Sequence, residues 1–101
     1  MLRLKANPTF RAKAMIPDPG APAFELDCEF RHMGAKEFEV FRSGGLARSE
    51  FDTIKGLLVR WHDETPFSDE SLAVMLDTFP GAAAAISVAY AEALYQGRRG
   101  N

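Results

Sequence analysis

Two stretches near the start of the chain alternate with a period of two. Phe10, Ala12, Ala14 and Ile16 stand opposed to Arg11, Lys13 and Met15, and further on Phe24, Leu26, Cys28, Phe30 and His32 stand opposed to Glu25, Asp27, Glu29 and Arg31. Alternation over such lengths predicts half-buried strands. Between them lies Pro17-Asp18-Pro19-Gly20-Ala21-Pro22, dense in turn formers, so the pair is expected to fold back as an antiparallel hairpin. The polar faces agree with that pairing, because Arg11 and Lys13 come across from Glu25, Asp27 and Glu29. Leu2–Lys5, ahead of the Asn7-Pro8 turn, is a candidate for a third, short strand.

From Gly34 the period lengthens. Ala35–Arg42 places Phe38 and Phe41 on one side of a short helix that Ser43-Gly44-Gly45 stops. Ser49, with Asp52 three residues on, has the form of an N-cap, and Phe51, Ile54, Leu57, Leu58 and Trp61 follow at helical spacing. Gly56 within that helix costs about 1 kcal/mol relative to Ala, which points to close packing at its position. Ser68 caps a further helix with Asp69 and Glu70 in its first turn, where the macrodipole favours acids, and Leu72, Met75, Leu76 and Phe79 form its apolar side. Pro80 ends that helix and is suited to open the next. The last helix carries Ala82, Ala83, Ile86, Tyr90, Ala93 and Leu94 on one face and stops at Gly97. The expected architecture is α+β: an N-terminal antiparallel hairpin, with three strands as the alternative, packed against about four C-terminal helices. A chain of 101 residues is one domain, with a β region over 1–33 and a helical region over 34–97.

Composition adds little chemistry. Hydrophobic residues at 47% with eight Phe provide for a packed interior. A net charge of −2 gives no general reason to bind nucleic acid or an anionic membrane. The charge is unevenly placed, however: residues 1–60 hold ten of the twelve basic residues, and no Lys or Arg lies between Trp61 and Gly97. Asp63, Glu64, Asp69, Glu70, Asp77 and Glu92 therefore form either a solvated acidic face or a docking surface for a basic segment. A single cysteine, an opening without the apolar run of a signal peptide, and no stretch near the roughly 20 apolar residues of a membrane span lead to the expectation of a soluble cytoplasmic protein.

No constellation for catalysis or cofactor binding emerges. Cys28 and His32 suit a shared metal only on a helix; on a strand, four residues span about 13 Å. His62-Asp63-Glu64 splay at an element end, Ser49, Ser68 and Ser71 read as caps or surface positions, and Gly44-Gly45 lacks the Lys-Ser/Thr of a phosphate loop. Arg98-Arg99 complements a helix C-terminus and is too small a patch for nucleic acid. The expectation is a non-enzymatic protein without metal or cofactor.

The run from Leu57-Leu58-Val59-Arg60-Trp61 through Pro66-Phe67-Ser68 and Leu72 to Phe79-Pro80-Gly81-Ala82-Ala83 and Ile86-Ser87-Val88-Ala89-Tyr90 resembles the tail assembly chaperones of long-tailed bacteriophages and their prophages. Asn7-Pro8-Thr9-Phe10-Arg11-Ala12-Lys13 and a strand ending near Phe30-Arg31-His32 resemble the opening of the same family. Arg60 departs from it, standing where a small residue is expected. The resemblance implies a protein of the infected cell's cytoplasm, absent from the mature virion, that coats the helical tape-measure protein, keeps it soluble and helps recruit tail-tube subunits. In many long-tailed phages a frameshift near the end of the gene adds a second domain that contacts the tube protein; where that happens, a chain like this one is the shorter product. For such a role Asp69, Glu70 and Asp77 are the candidate rim, and exposed members of the Leu72/Met75/Leu76/Phe79 and Ile86/Tyr90/Leu94 stripes the candidate groove. Coating a filament further suggests a homo-oligomer, as a ring or a spiral. The competing readings are a minor tail or head–tail joining protein, and a small acidic regulatory or antitoxin-like binding module.

Overall fold

A computed structural model describes residues 1–97. Expectations placed on Arg98 and Arg99 lie outside them. The elements follow in the order β1 (Thr9–Asp18), β2 (Ala21–Arg31), α1 (Ala35–Ser43), a 3-10 turn (Gly45–Ala47), α2 (Glu50–Leu57), β3 (Leu58–His62), α3 (Asp69–Thr78) and α4 (Ala82–Gln96). The strands form one antiparallel sheet in the order β1-β2-β3, and the helices cover one face of it. This is the α+β arrangement expected from the alternation of periods.

The hairpin closes at Asp18↔Ala21. Pro19 sets the first turn position and Gly20 takes the second at φ 81°, the left-handed conformation that a Pro-Gly turn requires. On the inner face Ala12, Ala14, Ile16, Leu26, Cys28 and Phe30 are buried. Ala12 and Ala14 leave room for α4, whose own Ala82, Ala83 and Ala93 allow the helix axis to approach β1 closely. Tyr90 fills the centre, with ring centroids 5.5 Å from Phe10, 5.2 Å from Phe30 and 5.5 Å from Phe38. Its hydroxyl donates to the Arg31 carbonyl at 2.8 Å, and burial pushes its pKa up to about 12. Cys28 is likewise a core residue, its thiol raised to about 12 by burial.

The third strand is Leu58–His62 and not Leu2–Lys5, which has no strand partner. The helix expected to run from Ser49 through Trp61 stops at Leu57. The cause is a β-bulge: Phe30 faces Leu58 and Glu29 faces Arg60, so Val59 is extra. The bulge separates the inward-facing Leu58 and Trp61 by three residues, the same spacing that a helical stripe has. Arg60, the departure from the family pattern, lies on the outer face of β3.

That outer face is a charge ladder. Arg11 donates to both carboxylate oxygens of Asp27, Lys13 lies 3.9 Å from Glu25, and Glu29 receives Arg60 at 2.8 Å and His62 at 2.9 Å. The ion pairs of β1 with β2 are diagonal rather than directly opposite, since the register puts Arg11 across from Glu29 and Lys13 across from Asp27. The anionic strand β2 thus runs between two cationic strands.

The caps hold as expected. Ser49 accepts from Asp52 N at 3.0 Å, Ser68 and Ser71 form a reciprocal capping box, and Gly97 ends α4 in the left-handed conformation. Pro80 differs: α4 begins at Ala82 with Gly81 as its N-cap, and Pro80 sits in the connecting turn. Gly56 faces the Phe41 ring, and a Cβ there would lie 2.5 Å from Phe41 Cε1. The ring cannot retreat freely, because the Arg48 guanidinium lies 3.7 Å from its centroid on a hydrogen bond to the Phe41 carbonyl.

Two outcomes follow from this packing. Gly56→Ala is expected to destabilise the fold by about 1–3 kcal/mol despite the better helix propensity of Ala. Urea denaturation of the single variant and of Gly56→Ala/Phe41→Leu checks this, the smaller side chain recovering part of the loss. The ladder makes a separate prediction. The Arg11 hydrogen bond lowers the pKa of Asp27, and hydrogen bonds from His62 and then Arg60 lower that of Glu29, from ordinary values of 3.8 and 4.5. Stability from these groups is therefore fully present above the ordinary values and is lost as pH falls through the lower folded ones. Urea midpoints measured down to about pH 3 are expected to drop, and Glu29→Gln to flatten the drop; a midpoint constant over that range would exclude the ladder as a contributor.

Candidate functional site

A groove of about 560 Å³ lies between the first half of β2, the end of β3 and the outer side of α3. Its formation begins at His62. There β3 leaves the sheet: Asp63 Oδ2 accepts from Thr65 N at 3.0 Å, and Trp61 Nε1 donates to the Thr65 carbonyl at 2.7 Å. Phe67 then packs edge-on to Trp61 at 5.0 Å, and Lys55 pairs with Asp69 at 2.9 Å to fix the start of α3. Helix α3 consequently crosses beyond the end of β3, leaving a trough above Phe24, Leu26 and Trp61. Phe79 closes one end against Phe24, with ring centroids 5.1 Å apart.

The opposite wall is made by Ser71, Val74, Met75 and Thr78 of α3. Val74 is 63% exposed although apolar. The charged residues that line the groove are Glu25, Asp63 and Glu70, all acidic. An apolar trough with a negative rim can receive an amphipathic segment whose polar face is basic. Among the described residues no three His, Cys, Asp or Glu side chains come together as a metal site, and no single helix is long and apolar enough to cross a membrane.

The residues singled out in the sequence divide among several places. Glu70, Met75 and Phe79 line the groove. Leu76 and Asp77 lie on the other side of α3, beside Glu50 and Phe51. Asp69 is committed to Lys55. Leu72 and Tyr90 are fully buried and offer no surface, while Leu94 packs half-buried against the core. Phe24, Leu26, Trp61 and Val74 also line the groove, although the sequence does not single them out for it. Their signal is partial: the unbroken apolar run Leu72-Ala73-Val74-Met75-Leu76 is wider than one buried helix face needs, so part of it must meet solvent or a partner. Trp61 could be placed only once the bulge was known.

A family model of phage tail assembly chaperones matches residues 1–101. No curated protein and no solved structure matches the chain. With the match spanning the whole sequence, the chain belongs to the phage tail assembly chaperone family.

Proposed function

We propose that this tail assembly chaperone binds the tape-measure protein, seating amphipathic helical segments of it in the groove between α3 and the sheet. The observation that carries this reading is the pairing of an apolar trough with a rim that is acidic throughout. A long helical client exposes apolar stripes that would otherwise associate with each other, and a shallow groove covers such a stripe reversibly. Burial of the stripe supplies affinity, and the rim supplies orientation and rate. Recruitment of tail-tube subunits then uses surfaces other than the groove. In this reading the protein acts without catalysis or cofactor in the cytoplasm of the host and is left out of the finished virion.

Co-expression with the tape-measure protein of the same phage tests the proposal. Val74→Glu places a charge on the groove wall at an exposed position, where the cost to folding is within about 0.5 kcal/mol. The variant is expected to stay folded while soluble tape-measure protein falls several-fold. Reversing Glu25, Asp63 and Glu70 to Lys is expected to abolish the salt dependence of capture. Undiminished capture by both variants would remove the groove from the mechanism.

A further inference from the structure

Strand β2 is 11 residues long, but β3 covers only part of it. The pairing of β2 with β3 begins at Asp27↔His62, so the six residues Ala21–Leu26 have β1 on one side and no strand on the other among the described residues. This free edge forms the floor of the groove, through Phe24, Glu25 and Leu26. Where β3 does pair, it presents Trp61 inward and Arg60 and His62 outward, the cations meeting Glu29.

Outside the sheet, the same alternation of apolar and basic positions occurs in the first residues of the chain. Residues 1–8 carry no helix or strand and are exposed throughout. Within them Leu2 and Leu4, 83% and 91% exposed, alternate with Arg3 and Lys5, which have no ion-pair partner among the described residues. Laid along the free edge of β2, such a segment points its leucines toward Val74, Met75 and Phe79. Its cations then fall on the outer face beside Glu25, continuing the cationic column that Arg60 and His62 begin. The sequence of the arm is that of the strand missing from this place.

The arm cannot fill its own groove. Pro8 is fixed at the far end of the sheet, where its carbonyl accepts from His32 N at 2.9 Å. Leu26, the near end of the groove floor, lies six residues back along β2, about 20 Å away. Leu4 is four residues from Pro8 and reaches at most about 14 Å, so even with Leu2 at its full reach of about 21 Å the two leucines cannot both enter the groove of their own chain. An arm that seats both leucines in this groove has to come from a second copy.

We propose that Met1–Lys5 of one copy adds as a strand to the free edge of β2 in the next, with Leu2 and Leu4 in the groove and Arg3 and Lys5 beside Glu25. The contact joins different surfaces of the two copies, so it propagates head to tail into a ring or an open chain. It also covers an apolar groove that would otherwise face water. As regulation of the client site it rests on the reading above: a tape-measure segment entering the groove displaces the neighbour's arm.

Self-association is measured with no tape-measure protein present, so its failure leaves the client reading untouched. Sedimentation velocity of the full chain over a wide concentration range is expected to show association. Leu2→Glu/Leu4→Glu alters only side chains that the single copy leaves in water, and is expected to weaken association roughly a hundredfold, as the loss of two buried leucines implies. Glu25→Lys is expected to weaken it as well, and Arg3→Glu/Lys5→Glu added to Glu25→Lys to restore it. A peptide of residues 1–8 titrated onto the Leu2→Glu/Leu4→Glu chain reports directly on the groove, since Trp61 is the one tryptophan and lines it. A shift in its emission that Val74→Glu abolishes supports the assignment. A full chain that stays monomeric, an association indifferent to the leucine pair, or a peptide without effect on Trp61 overturns it.

Discussion

Tyr90 ties together parts of the chain that are distant in sequence. Its ring is in contact distance of Phe10 from β1, Phe30 from β2 and Phe38 from α1, and its hydroxyl satisfies the carbonyl of Arg31 at the end of β2. A helix that lies across a three-stranded sheet can slide along its alanines, because small side chains fit in many registers. The hydrogen bond removes that freedom, since only one register brings the hydroxyl within 2.8 Å of the carbonyl while the ring stays buried. With α4 fixed in this way, the turn through Pro80 and Gly81 sets the path of α3, which leaves α4 at 109°. The groove is thus positioned by a residue that does not line it.

Helix α3 is held by fewer constraints than α4. Leu72 and Leu76 bury one side of it, the capping box closes its N-terminus, and Lys55 holds Asp69. Among the described residues, its outer side, with Val74 in water and Met75 half-buried, faces the trough, across which lie the free end of β2 and the end of β3. The small number of contacts is consistent with a wall that adjusts its distance to an incoming segment. Met75 suits such a wall, because an unbranched side chain repacks against differently shaped partners.

Most of the hydrogen-bonded framework was legible in the chain: the alternation of Phe10–Ile16 and Phe24–Phe30, the turn at Pro19-Gly20, and the caps at Ser49 and Ser68 each act through neighbours in sequence. What was not legible depends on distant partners. Leu58–His62 satisfies a helical spacing and a bulged strand equally well, and only the available edge of β2 decides for the strand. Glu29 looks like one more carboxylate opposite β1, yet it is claimed by Arg60 and His62 from the other side. The acidic residues of α3 were visible as a group. Their division between the groove, the Phe51 side and the Lys55 pair follows from how α3 is rolled on the core, which its sequence alone leaves open because apolar residues occupy more than half its circumference.

The two faces of the sheet divide stability from recognition along a line that β3 draws. Where β3 is present, every anion of β2 that it reaches is matched by a cation, and the inner face is sealed by Trp61. Where it is absent, Glu25 keeps only a long contact to Lys13 at 3.9 Å, and the inner face opens into the groove. The same truncation therefore leaves an open strand edge, a weakly matched negative charge and an uncovered apolar surface at one place. Lengthening β3 by a few residues would close all three at once, so an extended β3 would give a sheet with no site. A segment that fits here must supply what β3 would have supplied: backbone for the edge, apolar side chains inward and positive charge outward. That requirement is narrower than the demand for a basic amphipathic helix, which meets only the last two conditions. On the two proposals made above, a strand from a like chain and a helix from a client would compete with different strength for one surface.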